Sequence, residues 1–124
     1  MTERRLIVGR TGEDAAVQYL LQRGYYILER NYRCRFGEID LVARDGDTLT
    51  FIEVKTRRSR TFGPAAAAVT HTKQRHLIKA SQMYMVQHGK REVLCRFDVV
   101  TIDMDGQESR IELIKDAFQP SAYP

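Results

Sequence analysis

The sequence predicts a mixed α/β fold, a central sheet of about five strands flanked by helices in the order αβββαββ. Three observations lead there. Two segments, roughly 11–23 and 69–88, repeat apolar residues at helical spacing. Five runs are rich in β-branched and aromatic residues. Glycine and Asp-Gly signals separate these segments. With 124 residues, 43% of them hydrophobic, the chain is expected to form one domain over 1–124 with a single modest core.

The first helix is expected from Thr11 to Arg23. Thr11 reads as an N-cap with Asp14 three positions on, Ala16, Val17, Leu20 and Leu21 form an apolar face, and Gly24 supplies the stop. Glu13 then falls in the first turn, where the helix dipole favours an acid. Tyr25–Tyr32 reads as the first strand. A hairpin follows, built from Phe-Gly-Glu-Ile-Asp-Leu-Val-Ala, a polar Asp-Gly-Asp-Thr turn, and Phe-Ile-Glu-Val-Lys-Thr-Arg. Residues 59–68 read as a mobile loop beside that hairpin. A long helix is expected over Val69–His88, with Val69, Leu77, Ala80, Tyr84 and Met85 facing inward and Gly89 as its stop. Strands over Val93–Asp103 and Ser109–Ile114 finish the sheet, and an irregular tail is expected over 118–124.

The hairpin carries the chemistry. Alternation puts Glu38 and Asp40 on one face of their strand and Phe51, Glu53 and Lys55 on one face of the next. A Gly46-Asp47 turn sets Asp40 directly across from Glu53, and an Asp45-Gly46 turn makes Glu53 its diagonal neighbour. A three-residue loop would send Glu53 and Lys55 to the opposite face. Directly opposed carboxylates, roughly 5 Å apart at the β-carbon, can hold one hard cation such as Mg²⁺ or Mn²⁺. A water on that cation becomes a nucleophile at neutral pH. Lys55 can orient the water or neutralise charge building on phosphorus. Alone, Glu-x-Lys is an ordinary solvated pattern. Here it is flanked by Ile39, Leu41, Val42, Phe51, Ile52 and Val54, and burying three charges there without a ligand is costly.

Net charge is +4, with 20 Lys and Arg against 16 Asp and Glu. The basic residues cluster around the acids: Arg30, Arg33 and Arg35 before them, Arg57, Arg58 and Arg60 after them, and Lys73, Arg75 and Lys79 on the second helix. From this set, Arg33, Arg35, Arg57, Arg58, Arg60, Lys73 and Arg75 are the expected contacts to nucleic-acid phosphates. No apolar run suits a bilayer span or a secretory signal, so a cytoplasmic protein without a membrane partner is expected. Cys34 and Cys95 lack metal-ligand spacing and are read as reduced thiols, Cys95 as a core residue. His71 and His76 are read as surface residues, and Asp98, inside an apolar strand, as a structural carboxylate paired with Arg96 or a hairpin arginine.

Element order and residues together resemble the PD-(D/E)xK nuclease superfamily, the restriction-endonuclease-like fold. More closely, the chain is similar to the YraN family of small bacterial proteins, whose core resembles archaeal Holliday-junction resolvases. The resemblance runs through Gly9-Arg10-Thr11-Gly12-Glu13-Asp14-Ala15-Ala16, Gly37-Glu38-Ile39-Asp40-Leu41-Val42-Ala43, Phe51-Ile52-Glu53-Val54-Lys55-Thr56-Arg57 and Arg96-Phe97-Asp98-Val99-Val100. It implies that Asp40 is the motif aspartate, Glu53 and Lys55 the (D/E)xK pair, and Glu13 a helix acid added to the metal site. Ile39 stands where the motif has proline, a position without chemistry.

The expected activity is Mg²⁺- or Mn²⁺-dependent hydrolysis of DNA phosphodiesters, with branched or junction DNA as one substrate class. Glu13, Asp40, Glu53 and Lys55 form the catalytic set, and the three acids hold metal. Such an activity admits a homodimer. The competing expectation is a nucleic-acid-binding or adaptor module that keeps the nuclease fold with little or no turnover.

Overall fold

The computed structural model describes residues 2–58, 69–90, 93–105 and 108–120, with the backbone alone described for 2–11, 105 and 108. Its elements follow the expected order: α1 (Thr2–Gln22), β1 (Tyr26–Cys34), β2 (Gly37–Asp45), β3 (Thr48–Arg57), α2 (His71–Gln87), β4 (Cys95–Asp105) and β5 (Glu108–Phe118). The five strands lie side by side in chain order. β1 to β3 form an antiparallel meander, β4 runs parallel to β3, and β5 returns antiparallel to β4. A parallel neighbour cannot be reached by a tight turn, and α2 is the crossover that joins β3 to β4.

Both faces of the sheet are covered. Ala16, Val17 and Leu20 of α1 pack with Leu41, Ala43, Ile52, Val100 and Ile102. Leu77, Ala80 and Tyr84 of α2 pack with Val42, Phe51, Phe97 and Val99. Sequence neighbours in a strand therefore go to opposite helices, as Leu41 and Val42, Phe51 and Ile52, and Val99 and Val100 each do. The doubly buried stretch of β2 over Leu41–Ala43 reads as an unbroken apolar run for this reason.

Several expectations are corrected. The first helix starts at Thr2, so Thr11 lies within it and is no N-cap, and Glu13 does not sit in a first turn. Gly12 lies inside the helix, and a Cβ there would lie 3.0 Å from Thr56 Oγ1, so its missing side chain lets α1 approach β3. Cys95 is exposed at the start of β4 rather than in the core. β5 runs on to Phe118, whose ring stacks on Phe97 at 4.9 Å, so the irregular tail does not begin there. The expected loop over 59–68, Arg60 and residues 121–124 lie outside the described residues.

Candidate active site

The turn decides the register. Asp45 pairs with Thr48 and the β2–β3 ladder continues to Leu41 opposite Ile52, which makes Gly46-Asp47 the two-residue turn. Gly46 carries φ 60°, as expected of the glycine at the first central position of a type II′ turn. One further step places Asp40 opposite Glu53. Of the two registers open to the sequence, this is the directly opposed one.

At that step the ladder stops, and Asp40 is the reason. Its Oδ2 accepts a 2.8 Å hydrogen bond from the Val54 backbone N–H, so a side chain takes the place of a strand-to-strand bond. The other neighbour of β2 breaks at the same point: β1 pairs Arg30 with Leu41 and Tyr32 with Ile39, skipping Asn31 and Asp40. Asn31 has φ 56°, a left-handed conformation that asparagine tolerates better than most residues. The alternation of β2 fails here too, since Ile39 packs on the α2 side although Leu41, two residues on, packs on the α1 side. Asp40 therefore sits at a local kink, where β2 parts from β3 and its carboxylate can turn into the gap.

Glu53 lies on the α2 face of β3 with a side chain 12% exposed. Burial foremost, then the negative charge of Asp40 and a hydrogen bond shared with it, push its carboxyl up to about 7. Asp40 is raised as well, chiefly by burial, with Glu38 and Glu13 adding like charge against the Val54 N–H and Lys73. Two buried carboxyls at hydrogen-bond range are stable together only with a shared proton or a cation between them. Glu53 Oε2 is buried without a hydrogen-bond partner, a further sign that this donor set suits a hard divalent ion.

The remaining expected residues divide. Lys55 is exposed and close enough to Glu53 for its charge to lower the carboxyl. Glu13 stands near enough to raise Asp40, but its Oε1 accepts from Arg30 Nε at 3.0 Å and Asn31 Nδ2 at 3.1 Å. Among the described residues, no group of three or more His, Cys, Asp or Glu side chains could hold a metal ion, so Asp40 and Glu53 are the close pair and Glu13 stands apart.

Among the basic residues, Arg33, Arg35, Arg58 and Arg75 are exposed. Arg35 lies over the Phe36 ring at 4.8 Å, and Arg33 Nε is 3.7 Å from Glu38. Arg57 is different. It is buried, and its Nε and a terminal nitrogen reach the two oxygens of Asp103 at 2.7 and 2.9 Å, so it is withdrawn from any phosphate track. Lys73 points at Glu53, with Nζ 3.8 Å from Oε1.

Sequence reasoning missed Asn31 and Arg30 as the residues that hold Glu13. The available signal was an asparagine, a poor strand former, near the end of an expected strand. Asp98 is the expected structural carboxylate: it accepts from Arg96, from the Tyr25 hydroxyl at 2.8 Å and from the Asp116 backbone N–H at 2.9 Å. Arg96 extends this network to Asp45 at 2.8 Å, beside the hairpin turn. His71 and His76 are exposed, as expected. No described helix is long and apolar enough to cross a membrane.

These features define a restriction-endonuclease-like α/β protein with a paired-carboxylate site where β2 and β3 diverge. The chain belongs to the YraN family: residues 12–102 match the model of "Uncharacterised protein family UPF0102". Similar proteins include a "UPF0102 protein" of Syntrophus aciditrophicus, 50% identical over 92% of this chain and 90% of that one. Another, from Geobacter metallireducens, is 49% identical over 90% and 92%, and one from Caldicellulosiruptor saccharolyticus is 44% identical over 95% and 100%.

Proposed function

We propose that this protein is a metal-dependent phosphodiesterase acting on DNA, with branched or junction DNA as the substrate class the family resemblance favours. One observation carries the reading: Asp40 and Glu53 are opposed and largely buried, and Glu53 keeps an oxygen without a partner. In this reading the two carboxylates hold Mg²⁺ or Mn²⁺. The ion, when bound, supplies an activated water and neutralises charge on the phosphate. Asp40 is held rigid by the Val54 N–H, so its orientation costs nothing further on binding. Lys55, exposed beside Glu53, positions the attacking water or stabilises the charged transition state. Glu13 contributes negative potential from its place on Arg30 and Asn31. Arg33, Arg35, Arg58 and Arg75 supply the phosphate contacts.

A second reading, a nucleic-acid-binding module with little turnover, is favoured by one fact: Glu13 is tied to Arg30 and Asn31 instead of joining the acid pair. Cleavage assays with Mn²⁺ or Mg²⁺ on duplex, flap and four-way-junction DNA separate the two. The nuclease reading expects metal-dependent cutting that Lys55→Ala and Asp40→Asn abolish. Cutting at equal rates by all three proteins rejects the site. Salt-sensitive binding that ignores both EDTA and Lys55→Ala, without cleavage, selects the module.

A further inference from the structure

Lys73 is not placed as a surface phosphate contact. It stands at the third position of α2, after the cap Thr70, whose hydroxyl accepts from the Lys73 N–H at 3.2 Å. A capping box would put Glu or Gln at this position, and the helix dipole disfavours a cation in the first turn. That turn contains no acid to offset it. What compensates Lys73 is tertiary: its ammonium lies 3.8 Å from Glu53 Oε1, across the gap between α2 and β3.

This pair is a long one. At 3.8 Å it is an ion pair longer than a hydrogen bond. Lys73 is 42% exposed while Glu53 is 12% exposed, so the cation is the more solvent-accessible partner of the pair. Lys73 Nζ lies 3.8 Å from Oε1, and Oε2 of Glu53 has no hydrogen-bond partner. A hard divalent ion between Asp40 and Glu53 would satisfy what the ammonium leaves open. Among the described residues, the charged groups that act on Glu53 include Asp40, Lys73 and Lys55, and of these Lys73 comes from a helix and the other two from the hairpin.

We propose that Lys73 is a placeholder cation: its ammonium pairs with Glu53 until a divalent ion takes that place, and the displaced side chain then holds a nucleic-acid phosphate. The exchange rests on the metal-binding reading given above. It makes metal and nucleic acid bind cooperatively, because the ion releases the lysine that the phosphate needs.

The test uses the full chain and Lys73→Met, which keeps most of the stem. Without metal, Lys73→Met lowers the thermal midpoint in the wild-type background at pH 8 and has little effect in Glu53→Gln, because the pair is already broken there. By calorimetry, Mn²⁺ binds Lys73→Met about three- to tenfold more tightly than wild type, since no ammonium competes. Affinity for junction DNA rises on replacing EDTA with Ca²⁺ in the wild type, and this rise is lost in Lys73→Met. Equal or weaker Mn²⁺ binding by Lys73→Met overturns the exchange while leaving the metal site standing. If neither protein binds Mn²⁺ although the Lys73–Glu53 coupling persists, the metal reading falls and takes the exchange with it.

Discussion

Asp40 caps the backbone of Val54: a carboxylate oxygen of β2, one residue beyond the last paired position of the ladder, accepts at 2.8 Å the N–H of β3 two residues beyond it. The same side chain thus ends the strand pairing and opens the gap in which it faces Glu53. Structural and chemical roles can be separated by substitution. Asp40→Asn keeps an acceptor for Val54 and is expected to change stability by less than about 1 kcal/mol, while Asp40→Ala leaves that N–H unsatisfied and costs about 1–3 kcal/mol. Both lose Mn²⁺ binding. Urea unfolding and metal titration of the two variants check this, and an Asp40→Asn protein that binds Mn²⁺ like wild type would remove Asp40 from the proposed ligands.

Glu53 gives the protein a pH dependence with a definite sign. Its carboxyl moves from an ordinary 4.5 up to about 7, so between those values the folded chain holds a proton that the unfolded chain has lost. Stability without metal is therefore expected to fall as pH rises through this window, by at most about 3 kcal/mol, with the loss complete above pH 7. Glu53→Gln should flatten that slope and raise the thermal midpoint at pH 8. Mn²⁺ should stabilise the wild type more at pH 8 than at pH 5. Melting curves at several pH values, with EDTA or Mn²⁺, give the answer; a wild-type midpoint that climbs steadily from pH 5 to pH 8 in EDTA contradicts it.

Arg57 and Arg58 are adjacent and should behave as opposites. Arg57 is buried on Asp103, and Arg57→Ala removes both of its hydrogen bonds to that carboxylate, with an expected cost of about 1.5–3 kcal/mol or more. Arg58 is exposed, so Arg58→Ala should leave stability within about 0.5 kcal/mol and weaken DNA binding. Its salt slope should fall by about one. Denaturation and fluorescence anisotropy across a salt series measure both quantities. The reverse pattern would mean that Arg57 faces the nucleic acid after all.

Asn31 stands opposite Asp40 with a left-handed backbone. Its φ of 56° makes a β-branched replacement unfavourable, so Asn31→Val should destabilise by about 1–2 kcal/mol or more, whereas Asn31→Gly should be better tolerated by the backbone. Both remove the amide that holds Glu13 Oε1. Chemical denaturation compares the two variants, and equal stability would show that the left-handed turn carries no strain.

The hairpin and the pairing of Asp40 with Glu53 on one face were legible because strand alternation is local, whereas the choice between a Gly46-Asp47 and an Asp45-Gly46 turn, and with it direct or diagonal opposition, was made only by the structure. Asp98 was legible as a partnered carboxylate for a similar reason, since a charge inside an apolar strand needs hydrogen bonds. The start of α1 was misread because Thr11, with Asp14 three positions on, looks like an N-cap, while the tight approach of Gly12 to Thr56 is a contact between distant residues. Cys95 looked like core because its neighbours are apolar, but its place at the start of β4 leaves it exposed.

By itself the sequence determined the element order, the turn chemistry and which acids share a hairpin, all of which follow from spacing of a few residues. Tertiary structure alone decided where the charges point. Arg57 turns inward because parallel β4 sets Asp103 across from it. Lys73 turns toward Glu53 because α2 crosses that face of the sheet. Glu13 is held by Arg30 and Asn31, at the kink in β1. Long charged side chains carry no periodic signal of their partners; the partner is set by which distant element lies within a few ångströms.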